Sequence, residues 1–113
     1  MITGTNTIGS KSSQQGKTTY KTFDPKENRE TEWTFYEATN DEIDEAVALA
    51  TEAFNVFREC TGEQKGNFLN AIADEIEDLG DVLIETYCKE SALPEGRARG
   101  ERGRTMGQLK AFA

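Results

Sequence analysis

The chain has 113 residues, 35% of them hydrophobic, and a net charge of −8 from 21 acidic and 13 basic side chains. That length suits one domain, and the acidic balance disfavours nucleic acid and anionic membranes as partners. No apolar run approaches the roughly 20 residues of a membrane span, and no signal-peptide pattern opens the chain; two cysteines with no histidine suggest reduced cytoplasmic thiols and leave zinc spacings unfilled.

Residues 1–23 are rich in Thr, Ser, Gly and Gln, with Ile2, Ile8, Tyr20 and Phe23 as sparse apolar points. Two threonine-rich runs, Ile2 to Ile8 and Thr18 to Phe23, flank the polar stretch Gly9 to Lys17, which predicts a peripheral hairpin with a loop over 9–17. Asp24-Pro25 ends the extended run, and Lys26 to Glu32 reads as a charged connection. Trp33-Thr34-Phe35-Tyr36 then predicts a third short strand, its aromatic rings buried against the helix that follows.

Thr39 and Glu42 stand at capping-box spacing, and Ile43, Ala46, Val47, Ala50, Ala53, Phe54 and Phe57 follow a 3.6-residue period. This predicts a first helix with one apolar face and a solvated cluster of carboxylates, Asp41, Glu42, Asp44 and Glu45, in its opening turns. Thr61 and Gln64 repeat the cap, and Phe68, Leu69, Ile72, Ile76 and Leu79 form the stripe of a second helix that stops at Gly80. Asp81 is then expected to cap a third helix through Val82, Leu83, Ile84, Tyr87 and Cys88, which Leu93-Pro94 breaks. The order is strands and then helices, with a strand and hairpin region over 1–38 and a helical region over 39–113.

The last segment is the most informative. Gly96, Gly100, Gly103 and Gly107 fall on one face of a helix, leaving bare backbone there. Each glycine costs about 1 kcal/mol against alanine in a helix interior, about 4 kcal/mol together, unless another element packs against the stripe. The same segment is locally basic: residues 93–113 carry five cations and two anions. Arg97, Arg99, Arg102 and Arg104 read either as an anion site or as a solvated face paired with Glu95 and Glu101, and the i, i+4 spacing favours the latter.

Other patterns carry less. Ala98 to Thr105 resembles a degraded phosphate loop, but Ala98 stands for the first glycine and Arg104 for the lysine, and no buried strand precedes it. The glycines do not match the G-x-G-x-x-G spacing of a dinucleotide fold. Cys60 lies in Phe57-Arg58-Glu59-Cys60-Thr61, where Arg58 favours the thiolate and Glu59 opposes it, so a structural thiol at a helix end is the simpler reading. Cys88 reads as a small core residue. No catalytic, cofactor-binding or metal-ligating residue is assigned.

Thr22-Phe23-Asp24-Pro25, Ala38-Thr39-Asn40-Asp41-Glu42-Ile43 with Ala46-Val47, Ala71-Ile72-Ala73-Asp74-Glu75-Ile76 and the block from Leu93 to Ala113 together resemble the N-terminal part of an NAD(P)-dependent aldehyde dehydrogenase. Leu-Pro-Glu-Gly-Arg and Gly-Glu-Arg-Gly-Arg-Thr point to the α-ketoglutaric semialdehyde branch, often NADP-preferring. The resemblance implies an α/β fold in the full-length family, with residues 1–113 as the beginning of its cofactor-binding domain: a β-hairpin and short third strand followed by three to four α-helices. It implies thiolate attack on an aldehyde, hydride transfer to NADP or NAD, and hydrolysis to the carboxylate, with the groups responsible beyond residue 113. Phe23 and Glu90 stand where some relatives hold a monovalent cation; Asp24 replaces their asparagine, and a surface carboxylate is the competing reading. The implied partner is the remainder of the enzyme or a second copy. A free-standing acidic helical interaction module and one half of a split enzyme are the rival readings.

Overall fold

The computed structural model describes residues 2–113 as four strands and four helices. In chain order these are β1 (Asn6–Ile8), β2 (Lys11–Ser13), β3 (Thr19–Asp24), β4 (Arg29–Tyr36), α1 (Asn40–Phe57), α2 (Gly62–Asp78), α3 (Gly80–Ser91) and α4 (Glu95–Phe112). They make two compact units, one of Met1–Phe23 and Arg29–Glu59, the other of Asp24–Asn28 and Cys60–Ala113.

In the first unit the strand pairing differs from the expected one. β1 pairs antiparallel with β2, Asn6 opposite Ser13 and Ile8 opposite Lys11, so part of the predicted 9–17 loop is strand. The reason is local: Gly9 adopts φ +60, which lets Gly9-Ser10 reverse the chain in a two-residue turn matched to strand twist. β3 pairs instead with β4, which begins at Arg29 and absorbs half of the predicted charged connection. Across this hairpin the Thr22 and Thr31 hydroxyls share a hydrogen bond of 2.7 Å, and Tyr20 stacks on Phe35 with centroids 5.6 Å apart. Phe35 is thus engaged across the strands, and it and Trp33 are half-buried rather than fully sealed.

Helix α1 starts as the capping box predicts. The Glu42 N–H donates to Thr39 Oγ1 at 3.2 Å, and Glu42 Oε2 accepts from the Thr39 N–H at 2.8 Å. Its apolar stripe, expected to be buried, is open: Ile43, Val47 and Phe54 are each at least half exposed. Within its unit α1 touches chiefly the three-residue β1, which is too small to cover five turns of helix.

The second unit is built from α4 laid across α2 and α3. Thr61 caps α2, its hydroxyl accepting from the Gln64 N–H at 3.1 Å while Gln64 Oε1 accepts from the Thr61 N–H at 2.9 Å. Only Leu79 separates α2 from α3, and Gly80 makes the reversal with φ +59. Asp81 therefore lies inside the first turn of α3 and caps nothing; α3 has no side-chain cap. Ala92 at φ 58 ends α3, and Pro94 is the N-cap of α4. The core here is Ala73, Ile84 and Ala98, all at most 3% exposed. Two alanines among three core residues allow close helix approach but bury little apolar surface.

Candidate functional site

The glycine stripe is where the sequence pointed most strongly, and α4 does carry it on one continuous face. A Cβ built at Gly96, Gly100, Gly103 or Gly107 would meet nothing within 4 Å. The opposite face, with Ala98, Thr105 and Leu109, lines the clefts toward α2 and α3. Hence no described residue of this chain packs against the stripe, and the intrinsic cost of about 1 kcal/mol per glycine is not offset within it.

The basic residues on α4 are already engaged. Arg97 pairs with Glu101 at 2.8 Å, Arg99 with Glu95 at 2.6 Å and with Asp81 of α3 at 2.9 Å, and Arg104 lies 3.9 Å from Glu101. Arg102 donates to the Gly80 carbonyl at 3.2 Å, covering the turn between α2 and α3. Lys110 reaches Asp74 of α2 at 3.8 Å. Asp81 first, then Glu95, raise the Arg99 pKa further above its ordinary value, since both carboxylates favour the charged guanidinium. These contacts match a solvated, internally paired face better than an anion site. Arg97→Ala is accordingly expected to cost at most about 1 kcal/mol in urea unfolding, as for other exposed pairs.

Ala98 to Thr105, the segment resembling a phosphate loop, is uninterrupted helix, with Ala98 2% exposed. Its interior N–H groups bond within the helix, so none is free to cradle a phosphate. Cys60, in the segment connecting α1 to α2, is half-buried, and Cys88 is half-buried in α3. Phe23 is 46% exposed and belongs to the first unit, whereas Glu90 belongs to the second. Asp24 is not the surface carboxylate of the competing reading: it is 7% exposed, and its Oδ1 accepts from the Lys26 and Glu27 N–H groups, each at 3.0 Å. It closes the β3–β4 turn, a use legible in Asp-Pro-x-x as a side chain bonding its own backbone two and three residues on.

Among the carboxylates opening α1, Glu42 differs from its neighbours. Asp41, Asp44 and Glu45 are exposed, but Glu42 is fully buried. Its Oε1 accepts from the Ser13 hydroxyl and, at 3.3 Å, from the Gln15 N–H, while Oε2 takes the Thr39 N–H and hydroxyl. Ser13 first, then Thr39, hold its pKa below the ordinary 4.5 against the opposing effect of burial. The stability this charge contributes is therefore in place above pH 4.5 and lost only as pH falls through the depressed folded value. The cap was readable from spacing. The donors from β2 and the residues after it were not, because they come from 27 and 29 positions away.

Besides the shallow cleft at Leu69, Thr105 and Leu109, two more flank α4. One, of about 330 Å³ and almost wholly apolar, lies among Ile76, Leu79, Leu83, Tyr87 and Ala98. The other, of about 400 Å³, is lined by Lys26, Asp81, Glu85, Glu95 and Arg99, charges that largely answer one another. Cys88 also lines the second cleft, together with Glu85 and Lys26. Among the described residues no three His, Cys, Asp or Glu side chains are grouped so as to hold a metal, and no helix is long and apolar enough to cross a membrane.

Comparison with known proteins places this arrangement. Residues 11–113 match the aldehyde dehydrogenase family. The chain is 40% identical over 113 residues to alpha-ketoglutaric semialdehyde dehydrogenase 2 of Azospirillum brasilense, covering 99% of this chain and 22% of that protein. It is 43% identical over 83 residues to the alpha-ketoglutaric semialdehyde dehydrogenase of Acinetobacter baylyi, covering 74% of this chain and 16% of that one. In fold it superposes with a TM-score of 0.88 on the betaine aldehyde dehydrogenase of Staphylococcus aureus, solved in complex with NAD+. The identity is 18%, with 99% of this chain and 23% of the other covered. The chain thus spans about a fifth of the length of the relatives it matches. The resemblance implied one hairpin, a third strand and three to four helices; the two small hairpins and four helices observed are consistent with the opening of such an enzyme, and the chain belongs to the aldehyde dehydrogenase family.

Proposed function

We propose that these residues are the N-terminal structural portion of an aldehyde dehydrogenase that oxidises α-ketoglutaric semialdehyde to the carboxylate with NADP or NAD as hydride acceptor, in the cytoplasm. The observation that carries this reading is identity of 40% and 43% to two enzymes of that name. The chain acts as scaffold: its hairpins and helices support the cofactor domain, and the groups that attack the aldehyde and contact the cofactor lie in the remainder. Its partner is that remainder, or a second copy. The open stripe of α1 and the bare face of α4 support this, because apolar helix faces and uncompensated glycines are costly when left in water. Membership of the family over residues 11–113 weighs against a free-standing interaction module.

The test is direct. Residues 1–113 mixed with NADP+ or NAD+ and α-ketoglutaric semialdehyde are expected to give no reduced nicotinamide above blank, and a longer protein carrying these residues is expected to turn over. Sustained reduction by the 113-residue chain would overturn the scaffold reading; a longer protein inert toward this aldehyde but active on another would overturn the substrate.

A further inference from the structure

The Tyr36 N–H donates to the Gly4 carbonyl at 3.1 Å, and the N–H of the next residue, Glu37, donates to the Thr18 carbonyl at 3.0 Å. Two consecutive residues at the end of β4 therefore pin both ends of the segment 4–18. Asn6 reinforces the first pin, its Nδ2 donating to the Tyr36 carbonyl at 3.3 Å. Between the pins lies the β1–β2 hairpin, with strands of three residues each. A closed surface segment of this length with adjoining ends is an Ω-loop. A lone two-stranded hairpin is at best marginal in water, so something beyond its own ladder must hold it.

Its apolar anchor is slight: Ile8 is the one buried apolar side chain, and the other residues of the segment that are not exposed, Gly4, Thr5, Asn6, Ser13 and Gly16, are small or polar. The polar anchor is Glu42. The two oxygens of this one buried carboxylate have separate tasks: Oε2 meets Thr39 and caps α1, and Oε1 meets Ser13 and Gln15. A charged acceptor makes stronger hydrogen bonds than a neutral one, and a buried carboxylate oxygen left without donors is costly. Both effects favour the closed segment.

We propose that residues 4–18 form a strap clasped in its middle by Glu42 Oε1, able to open and close as a unit about its two pins while Oε2 keeps helix α1 capped. The division of the carboxylate makes strap and helix separable. Ser13 supplies a hydroxyl to the clasp and nothing to the cap; Thr39 supplies the cap and nothing to the clasp.

The experiment is amide hydrogen exchange on the whole protein at neutral pH, comparing wild type with Ser13→Ala and Thr39→Ala. Ser13→Ala is expected to speed exchange of the Gln15 amide and the 8–13 segment about tenfold, leaving the Tyr36 and Glu37 amides and the first turns of α1 unchanged. Thr39→Ala is expected to do the reverse, loosening the start of α1 and leaving the strap closed. Unaltered strap exchange in Ser13→Ala would overturn the proposal. So would equal acceleration of strap and helix in either variant, since that would make Glu42 one indivisible structural node. Should Thr39→Ala fail to fold, Ser13→Ala alone decides by the same two criteria.

Discussion

Ile84→Ala is expected to destabilise the unit formed by α2, α3 and α4 by about 2–3 kcal/mol. Ile84 is 3% exposed and is the one large apolar side chain in a core otherwise made by Ala73 and Ala98. Removing its branched chain forfeits the transfer free energy of three carbons and leaves a void that alanines on the facing helices are too short to fill. The value belongs in the lower half of the usual range for such truncations because Ile84 also lines two of the clefts beside α4, where part of its surface already lacks partners. Urea unfolding should show a lower midpoint with an unchanged slope. A loss under 1 kcal/mol would mean that the three helices are held mainly by their ion pairs and caps.

The second large effect has the opposite sign. Gly100→Ala combined with Gly103→Ala is expected to stabilise the 113-residue chain by about 2 kcal/mol, since each position is helix interior and a new methyl would meet nothing within 4 Å. In the longer enzyme proposed above, the same pair should be destabilising by about 1–3 kcal/mol if a neighbouring element covers that face, because the methyl groups would then collide with it. Measuring both forms separates the intrinsic helix preference from what lies against the helix. Stabilisation of equal size in both would show that the glycine face stays open to water and would remove one support for the scaffold reading.

The candidate surfaces share an origin. In the first unit, α1 presents Ile43, Val47 and Phe54 outward because β1 is its main neighbour. In the second, α4 turns Ala98 inward and its glycines outward. Each unit thus has one satisfied face and one unsatisfied face, the pattern of a domain whose other layer is supplied elsewhere. That arrangement, rather than any reactive group on the chain, is what links its structure to the function proposed for it.

Local chemistry written within a few residues was legible in advance. Thr39 with Glu42 and Thr61 with Gln64 fixed two helix starts, because capping needs only side chains three positions apart. Gly80 and Leu93-Pro94 fixed the breaks, and the 3.6-residue period fixed the faces. The pairing of β1 with β2 was also local, but its signal, one glycine at φ +60, was hidden inside a polar stretch that reads equally well as loop.

Whatever depended on partners remote in sequence was decided by the tertiary structure. Periodicity marks Ile43, Val47 and Phe54 as one apolar face, yet whether a face is buried depends on what stands opposite it. Spacing marks Glu42 as a cap, but its full burial and its second set of donors arise only when Ser13 and Gln15 arrive from the strap. Asp24 reads as a turn former, and its bonds to the Lys26 and Glu27 N–H groups fit that reading, but its near-complete burial could not be read from spacing. The sequence by itself determined where helices begin and end, since hydrogen bonds within four residues set those points; only the three-dimensional arrangement decided which surfaces were closed, since burial depends on all the atoms nearby in space, whatever their order along the chain.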